Sequence, residues 1–302
     1  MAGGPVIKKQ TKLIAVLAPC LVLLVVLIVF ATRLAPALLS HAPVYGIPLG
    51  GPAPTAASDA AYTFAFTGDT RNNDLVFSEI IRETMDQKCA FGVMGGDLVT
   101  NSSDAHYNDF CQNVVKTTGG KFPIYPAIGN HDWGNGIIEK MTGDRFIRFL
   151  GAENYVFWYG PDAFVLFDDS RDTGFTAAEA EAVDKMIQEV RPKARWLFLV
   201  CHVPPYDPTP GGSHCLQSVS AGRLMKLAVK NNATMLLTSH VHGFGQRTME
   251  GIPVIVSGGA GAQLATGARF NWVKIAVDSK GVTAQEVELP AQFQSAEQGA
   301  AD

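Results

Sequence analysis

The sequence predicts an α/β domain, because short runs rich in β-branched and aromatic residues alternate with longer stretches of helical periodicity. In the first half, strand–helix alternation favours parallel βαβ units; the last strands follow one another directly and favour an added antiparallel layer. The third predicted helix begins at Thr176 and has Glu179 three residues later, the spacing of a capping box. The predicted strands span residues 63–67, 91–95, 124–128, 156–159, 164–168, 196–201, 234–239, 253–257, 272–277 and 283–287. The predicted helices span residues 73–87, 103–117, 176–190 and 218–231.

Composition limits the size of the core and the class of partner. The chain has 302 residues, of which 47% are hydrophobic and 17% are charged, enough apolar material for one large domain or two small ones. The net charge is −4 at pH 7, and acidic and basic residues are scattered along the chain. Because a nucleic-acid binder usually carries a basic block or stripe, we expect no long nucleic acid as a partner.

The N-terminal segment has the features of a membrane anchor. Lys8, Lys9 and Lys12 precede residues 13–32, an uncharged run dominated by Leu, Val, Ile and Ala. A helix needs about 20 apolar residues to cross a bilayer, and a soluble core helix is rarely apolar on every face for that length. By the positive-inside rule, the lysines place residues 1–12 in the cytoplasm. We therefore expect a single-pass signal anchor, with the rest of the chain periplasmic or extracellular.

Two alternatives for this segment stay open. Ala35-Pro36-Ala37 loosely resembles a signal-peptide cleavage site, although the apolar run exceeds the ~7–15 residues of a usual signal peptide. A lipoprotein signal ending at Cys20 is disfavoured, because the apolar run continues past that cysteine. Beyond the anchor, residues 33–61 predict an extended Pro/Ala/Gly-rich linker, residues 62–289 the folded domain, and residues 290–302 a polar, frayed tail.

Four cysteines lie outside the apolar run. Cys89, Cys111, Cys201 and Cys215 allow two disulfides in an oxidising compartment, with Cys201 and Cys215 as the pair to test first. Four buried thiols are an equally good interpretation, because cysteine is common in protein interiors. The sequence has no CxxC motif, so we do not expect a thiolate metal site.

Residues that can ligate metals follow five predicted strands at the points where the strands end. These residues are Asp69, Asp97, Asn130, His202, and the pair His240 and His242. Any one placement alone would be typical of a turn or a core histidine, but five strands that end in this way are hard to attribute to turns. Strand carboxyl ends are where α/β sheets gather their binding sites, and the glycines ahead of Asp69, Asp97 and Asn130 allow sharp turns.

The six residues form a consistent ligand set for divalent metal ions. They offer two carboxylates, one amide oxygen and three imidazoles but no thiolate, which favours Mn²⁺, Fe, Zn²⁺ or Co²⁺ over Cu(I), an iron–sulfur cluster or Ca²⁺. Six ligands exceed the three that one tetrahedral catalytic ion usually takes, so two ions that share a carboxylate account for the number. His240 and His242 project to the same side of an extended segment and could serve one ion each.

These motifs, in this order, resemble those of the calcineurin-like metallophosphoesterases. The matching segments are Asp69, Gly96-Asp97, Gly129-Asn130-His131-Asp132, His202 and Ser239-His240-Val241-His242. The resemblance covers roughly residues 62–287 and implies two mixed β-sheets packed as a sandwich and flanked by helices, with residues 62–289 as the catalytic domain. It also implies hydrolysis of a phosphate ester by a hydroxide activated between two divalent ions.

The resemblance further implies a role for each residue. Asp97 would bridge both ions; Asp69 and His242 would hold the first, while Asn130, His202 and His240 would hold the second. His131 would face the substrate and protonate the leaving oxygen or stabilise phosphoryl charge. Asp132 would orient His131 and raise its basicity.

One position departs from the family pattern. Many members have a metal-binding histidine two residues after the first aspartate, where this chain has Arg71. A guanidinium stays protonated and cannot ligate a cation, so the first ion would be held more weakly, with solvent, Thr100 or Asn101 filling the gap. Arg71 could instead bind a phosphate oxygen in a bidentate manner, or be a surface residue of a turn.

The substrate class stays open between three hypotheses. We expect a phosphomonoesterase that acts on a small or lipid-linked phosphate ester. A phosphodiesterase that acts on a cyclic nucleotide or a lipid headgroup is one alternative. A catalytically silent module that binds metal or phosphate is the other, because Arg71 replaces a metal ligand. His106 and His214 have no motif around them, and we expect surface positions for both.

Overall fold

The chain alternates strands and helices through most of its length. The computed structural model describes residues 48–55, 60–134 and 143–294. The strands in these ranges are β1 (Tyr62–Thr67), β2 (Gly92–Met94), β3 (Ile124–Pro126), β4 (Tyr155–Tyr159), β5 (Asp162–Leu166), β6 (Leu197–Val200), β7 (Met235–Thr238), β8 (Phe244–Met249), β9 (Ile252–Ser257), β10 (Asn271–Val277) and β11 (Val282–Glu288). The α-helices are α1 (Asp74–Asp86), α2 (Asp104–Thr118), α3 (Asn130–Trp133), α4 (Asp144–Leu150), α5 (Ala177–Val190), α6 (Ser218–Lys230) and α7 (Ala291–Gln294). A 3-10 turn at Arg191–Lys193 follows α5.

The strands form two sheets of mixed direction. The first has the order β11-β10-β1-β2-β3; β1, β2 and β3 run parallel, while β10 and β11 are antiparallel to their neighbours. The second has the order β4-β5-β6-β7-β9-β8; β5, β6, β7 and β9 run parallel, and antiparallel strands β4 and β8 lie at its edges. The parallel units predicted for the first half are confirmed, and the antiparallel strands predicted at the end join the first sheet.

Alternation of side chains along the strands builds the core between the two sheets. Phe64 and Phe66 belong to this central core, where Phe64 meets Phe164 and Phe198 edge-on at centroid distances of 5.1 and 5.2 Å. Ala65 lies in a different apolar cluster, on the other face of the sheet, because successive residues of a strand face opposite sides. Aromatic rings supply much of this central layer, since each buries a large apolar surface.

Helices cover the outer face of each sheet. Helices α1 and α2 pack on the first sheet through residues such as Ile80 and Val114. Helices α5 and α6 pack on the second through residues such as Ile187 and Leu224. Each helix turns one apolar stripe inward and a polar face to solvent. The result is the sandwich of two mixed sheets, flanked by helices, that the family resemblance implies.

Strand β8 and the short helices α3, α4 and α7 have no counterpart in the sequence prediction, and α7 forms where the sequence predicted a frayed tail. Strand β8 is an edge strand with three exposed central residues, so it lacks the apolar run from which a strand is predicted. Helix α4 is short, and Phe146 is its fully buried residue. The predicted capping box at the start of α5 is confirmed: the Glu179 N–H donates to Thr176 Oγ1 at 3.3 Å, and the Thr176 N–H donates to Glu179 Oε2 at 2.8 Å.

A short segment ahead of β1 pairs with the edge of the first sheet. Leu49 and Ile124 exchange two backbone hydrogen bonds, of 2.9 and 2.8 Å, in an antiparallel bridge. The Gly50 carbonyl accepts a hydrogen bond from Thr118 Oγ1 at 2.8 Å, and Gly50 has a φ of 83°, which favours glycine. Within the predicted linker, this stretch is therefore docked on the domain.

The predicted membrane anchor lies outside the described residues. Residues 1–12, the apolar run 13–32, most of the linker 33–61 and the end of the tail 290–302 are not among them. Among the helices that the structure describes, none combines the length and the apolar character needed to span a bilayer.

The four described cysteines are free thiols rather than disulfides. Cys89 and Cys201 are buried, and Cys111 and Cys215 are partly buried. Burial raises the pKa of the Cys201 thiol, so this side chain is an inert part of the core.

Candidate metal centre

The six predicted ligands meet at the carboxyl ends of the strands. Parallel strands end at the same edge of a sheet, so each sheet brings its own three residues together. The packing of the sheets then places the three residues of one sheet beside the three of the other. Asp69, Asp97 and Asn130 follow β1, β2 and β3 of the first sheet, and His202, His240 and His242 follow β6 and β7 of the second.

Sharp turns direct these side chains over the ends of the sheets. Asp69, Asp97 and His240 have φ angles of 62°, 52° and 66°. This left-handed region is uncommon for residues other than glycine, and such strain is typical of functional sites. A Cβ at Gly129 would overlap the amide nitrogen and Oδ1 of Asp97, and one at Gly258 would lie 2.7 Å from Asp69 Oδ2. The chain therefore needs glycine where its backbone closes around the two carboxylates.

One group of ligand atoms surrounds His202. The Nε2 atom of His202 lies 3.4 Å from Asp97 Oδ1, 3.0 Å from Asn130 Oδ1 and 3.0 Å from His240 Nδ1. The ligand atoms of Asp97, His202 and His240 all lie within 4.8 Å of one another. The structure thus brings together the residues that the resemblance assigns to the second ion.

A second group surrounds Asp69. His242 Nε2 lies 3.4 Å from Asp69 Oδ1, and the ligand atoms of Asp69, Asp97 and His242 lie within 4.8 Å of one another. Asp97 belongs to both groups. This sharing is the arrangement required of a carboxylate that bridges two ions.

Backbone carbonyls set the orientation of two of the imidazole rings. Nδ1 of His202 lies 2.8 Å from the Gly95 carbonyl oxygen, and Nδ1 of His242 lies 2.7 Å from that of Gln263. Because a carbonyl oxygen only accepts hydrogen bonds, each Nδ1 carries the proton and each Nε2 presents its lone pair to the centre. Metal-ligating histidines in proteins are commonly held in this way.

The charge state of the buried groups fits a divalent cation. Asp69 is fully buried, and its Oδ1 has no hydrogen-bond partner in the described part of the chain. Burial disfavours its charged form, but the adjacent His242 ring lowers the pKa of Asp69 below its ordinary value. Burial and the neighbouring His202 lower the pKa of His240 to about 2, so its ring is neutral. An unpartnered buried carboxylate oxygen beside neutral imidazole suits a metal ion.

His131 lies at the rim of the same centre. Its backbone N–H donates to Asp97 Oδ1 at 2.9 Å, and its Nε2 lies 3.9 Å from Asp97 Oδ2. Its Nδ1 lies 2.8 Å from the Thr100 carbonyl oxygen, which leaves Nε2 on the side of the centre. The side chain is 33% exposed, so a bound substrate can reach it.

The role that the resemblance implies for Asp132 is corrected by the structure. The Asp132 carboxylate is fully buried and accepts the backbone N–H groups of Gly129 and Leu98, at 2.8 and 3.1 Å. The Thr100 carbonyl, and not Asp132, orients the His131 ring. Asp132 therefore holds the loop after β2 against the start of α3, because its oxygens satisfy backbone donors of both.

Arg71 borders the shared carboxylate. Its Nη1 lies 3.9 Å from Asp97 Oδ2, and its side chain is 25% exposed. The sequence suggested Thr100 as a substitute ligand for the first ion. In the structure, the Thr100 hydroxyl donates to the Arg71 carbonyl at 2.7 Å. The guanidinium faces both Asp97 and solvent, which is where an anionic substrate would arrive.

Three further residues contact the centre although the sequence did not single them out as functional. Asp169 Oδ1 accepts the backbone N–H of His202 at 2.9 Å, and Ser239 Oγ donates to the Gly95 carbonyl at 2.7 Å. Ser239 stands inside a family motif, and that placement was the available signal. His214 is exposed, as expected, but its ring centroid lies 4.0 Å from that of His240. Nothing in the sequence around His214 indicates this proximity.

Solved structures of two phosphatases and of an anchor protein share this fold. Purple acid phosphatase PPD1 from yellow lupin (Lupinus luteus) seeds has a TM-score of 0.65 and 18% identity over 79% of this chain and 53% of that one, so the chain spans about half the length of the lupin enzyme. GAP50, the anchor in the inner membrane complex of Plasmodium, has a TM-score of 0.59 and 14% identity over 76% and 84% of the two chains. A dimetal phosphatase from Danio rerio has a TM-score of 0.53 and 11% identity over 76% and 99%. At these identities the likeness is one of fold alone.

Family membership comes from the sequence comparison. A search of curated proteins gives no match. The family model for calcineurin-like phosphoesterases matches residues 62–244, more than half of the chain, and this range contains all six residues of the candidate metal centre. The chain therefore belongs to the calcineurin-like phosphoesterases, a family that hydrolyses phosphoesters with a pair of metal ions.

Proposed function

We propose that the chain is a phosphomonoesterase whose two divalent ions are held at the candidate metal centre. The observation that carries the proposal is that Asp97 belongs to both groups of ligand atoms. In this assignment Asp69 and His242 hold one ion with Asp97. The other ion is held with Asp97 by Asn130, His202 and His240. The mixed oxygen and nitrogen donors suit Mn²⁺, Fe, Zn²⁺ or Co²⁺.

Residues of the chain position the substrate and supply a proton to its leaving oxygen. When bound, a pair of divalent ions polarises phosphoryl oxygens and makes water acidic enough to attack phosphorus near neutral pH. The Thr100 carbonyl holds the Nδ1–H of His131, which leaves Nε2 facing the centre. When the ring is doubly protonated, its Nε2–H bond breaks as the leaving oxygen takes the proton, and the electron pair stays on Nε2. Arg71 donates N–H groups to phosphoryl oxygens and offsets their charge.

A monoester is favoured by the positively charged guanidinium beside the centre. Near neutral pH a phosphate monoester carries close to two negative charges on its phosphoryl group, whereas a diester carries one. The Arg71 guanidinium lies 3.9 Å from Asp97 Oδ2, beside the proposed ions, and suits the higher charge. Diester substrates, such as a cyclic nucleotide or a lipid headgroup, are the alternative within the same chemistry.

The direct test is hydrolysis by the purified full chain. We expect 4-nitrophenyl phosphate to be hydrolysed faster than bis(4-nitrophenyl) phosphate once the chain is loaded with Mn²⁺, Fe²⁺, Zn²⁺ or Co²⁺. Asp97→Ala should abolish metal loading and turnover together. A preference for the diester would replace the monoesterase by a phosphodiesterase, and hydrolysis of neither ester by a two-ion protein would contradict the proposal.

The second candidate function is a binding module without turnover. Arg71 stands in place of a metal-binding histidine, which motivates this candidate. The Plasmodium protein of the same fold is described as an anchor. The two candidates differ in metal content, since the enzyme needs two ions per chain. One ion or none after metal loading, measured by inductively coupled plasma mass spectrometry, would favour the module.

We propose a location outside the cytoplasm, with residues 13–32 as the membrane anchor. The basis is the uncharged run after Lys8, Lys9 and Lys12. In that position the catalytic domain would meet small or lipid-linked phosphate esters at the membrane surface. Once any outer membrane is permeabilised, protease added outside the cells should digest the domain, and full protection of the domain would contradict this location.

A further inference from the structure

A second concave site lies at the other end of the domain from the candidate metal centre. The metal ligands follow the carboxyl ends of β1 and its parallel neighbours. A groove of about 640 Å³ lies at the opposite end of β1, where Tyr62 pairs with Val277 of β10. The C-terminal end of α1 and the turn between β10 and β11 form its walls.

Three lysines surround this groove without acidic partners. Lys88, Lys274 and Lys280 line it, and within the described ranges none of the three forms a salt bridge. Lys274 Nζ donates to a neutral acceptor, Gln87 Oε1, at 3.2 Å. Lys185, on the surface of α5, is by contrast paired with an acidic side chain at 2.8 Å. The groove therefore collects unpaired positive charge.

Asp278, the acidic residue that lines the groove, hydrogen-bonds to the backbone. Asp278 Oδ1 accepts the N–H groups of Lys280 and Gly281, at 2.6 and 2.9 Å, and so closes the turn between β10 and β11. These two hydrogen bonds hold the pKa of Asp278 below its ordinary value. Three ammonium groups against one carboxylate leave the groove positive, on a chain whose net charge is −4.

We propose that this groove is a binding site for a phosphate-bearing anion, separate from the candidate metal centre. Like charges around one concavity repel each other, and an anion seated among Lys88, Lys274 and Lys280 relieves that repulsion. Lysine suits this task because its ammonium group is a mobile point charge with three donors. The hydroxyls of Thr63 and Thr283, which also line the groove, can hydrogen-bond to the anion.

The anion has two sources that share this chemistry, a soluble organic phosphate and the headgroup of an acidic phospholipid. Ala61, the residue directly ahead of β1, lines the groove. The groove thus opens where the N-terminal part of the chain joins β1, which makes a headgroup relevant if residues 13–32 span a membrane.

The test is residue-resolved labelling of lysines in the full chain, with metals removed by a chelator so that the metal centre takes up no phosphate. In one arm the detergent-solubilised chain is acylated with and without glycerol 3-phosphate; in the other it is acylated in vesicles of phosphatidylcholine with and without phosphatidylglycerol. We expect labelling of Lys88, Lys274 and Lys280 to fall by about threefold or more in at least one arm, because an ion-paired ammonium group is shielded. Exposed Lys116 and Lys226, on α2 and α6, serve as internal controls.

A charge-matched pair of variants tests the assignment independently. Lys88→Gln, Lys274→Gln and Lys280→Gln together should weaken binding of the protective anion about tenfold or more. Replacing Lys116, Lys193 and Lys226 by Gln removes the same charge elsewhere and should change binding less than about twofold. Protection by glycerol 3-phosphate alone identifies a soluble ligand, and protection confined to phosphatidylglycerol vesicles identifies a lipid. No protection in either arm, or equal losses in the two variants, would overturn the proposal.

Discussion

At the scale of single residues, Asp97 receives contacts from both sheets. Its Oδ1 accepts the His131 N–H at 2.9 Å and lies 3.4 Å from His202 Nε2, while its Oδ2 lies 3.9 Å from the Arg71 guanidinium. The carboxylate is nearly inaccessible to solvent, at 2% exposure. A buried carboxylate among so many donors and ligands is stable only if its charge is compensated. Two cations on either side of Asp97 would provide that compensation.

His131 is predicted to serve turnover without serving metal binding. Replacement of His131 by Ala should lower kcat about 10²–10⁴-fold, because proton donation to the leaving group is lost. Metal content should stay at two ions per chain, since His131 belongs to neither group of ligand atoms. His106→Ala is a suitable control, because His106 also places Nδ1 near a backbone carbonyl, that of Asn101, at 3.2 Å. Loss of metal in the His131 variant would show that this residue is a ligand.

Arg71 is predicted to bind substrate at the cost of weaker metal binding. Arg71→His would restore the histidine that ligates metal in many family members. It should raise the affinity for the first ion by about tenfold. The same change should raise KM for a monoester about tenfold or more, because charge-assisted hydrogen bonds to phosphate are lost. Arg71→Ala should raise KM without raising the affinity for the metal. Metal affinity from competition with a chelator and KM from steady-state kinetics separate the two effects; unchanged KM in both variants would argue against phosphate recognition.

At the scale of elements, the helices over the second sheet are joined by a polar contact. Asp184 of α5 accepts hydrogen bonds from Lys230 Nζ at 2.5 Å and from Asn231 Nδ2 at 2.9 Å, at the end of α6. Burial opposes ionisation, but these two hydrogen bonds lower the pKa of Asp184 below its ordinary value. The Asp184 side chain is 16% exposed and that of Lys230 is 53% exposed, so solvent screens much of the attraction.

Asp184→Asn is predicted to lower stability in a pH-dependent way. A carboxyl with a lower pKa in the folded state stabilises the protein above its unfolded pKa of about 3.9, and this contribution is lost as pH falls through the folded pKa. The free energy of unfolding in urea should therefore fall by ~0.2–1 kcal/mol at pH 7, with the deficit shrinking once pH drops below about 3.9. Asp172→Asn, at an exposed carboxylate, is the control. A deficit that grows in acid would contradict the assigned direction of the pKa.

The segment that contains Leu49 is predicted to stabilise the edge of the first sheet. Leu49→Pro removes the N–H that donates to the Ile124 carbonyl at 2.9 Å, and a buried acceptor without a partner costs ~1–3 kcal/mol. Leu49→Val keeps the donor and should cost less. Thermal unfolding of the full-length variants compares the two, and equal melting temperatures would show that the bridge contributes nothing.

Motifs at strand ends predict the centre better than they predict its hydrogen bonds. The order and spacing of the ligands indicate a common edge, because parallel strands finish together. The orienting partner of His131 is a backbone carbonyl, that of Thr100, and no side-chain pattern marks it. Strand β8 escapes prediction for a related reason: it is paired on one side only, so half of its residues need not be apolar. His214 reaches His240 through the path of a loop, which sequence spacing does not determine.

At the scale of the whole molecule, opposite ends of the domain differ in the charged side chains that they gather. The carboxyl ends of the parallel strands gather carboxylates and imidazoles suited to cations. The amino end of β1 gathers three lysines suited to an anion. In the two proposals, this separation would let the anion bind without blocking the substrate.

The most direct measurement is anomalous diffraction from crystals of the chain loaded with Mn²⁺ or Zn²⁺. We predict two anomalous peaks about 3.5–4 Å apart, as in other two-metal sites, with Asp97 between them. Asp69 and His242 should contact one peak, and Asn130, His202 and His240 the other. A single peak, or two peaks that do not share Asp97, would contradict the two-ion centre.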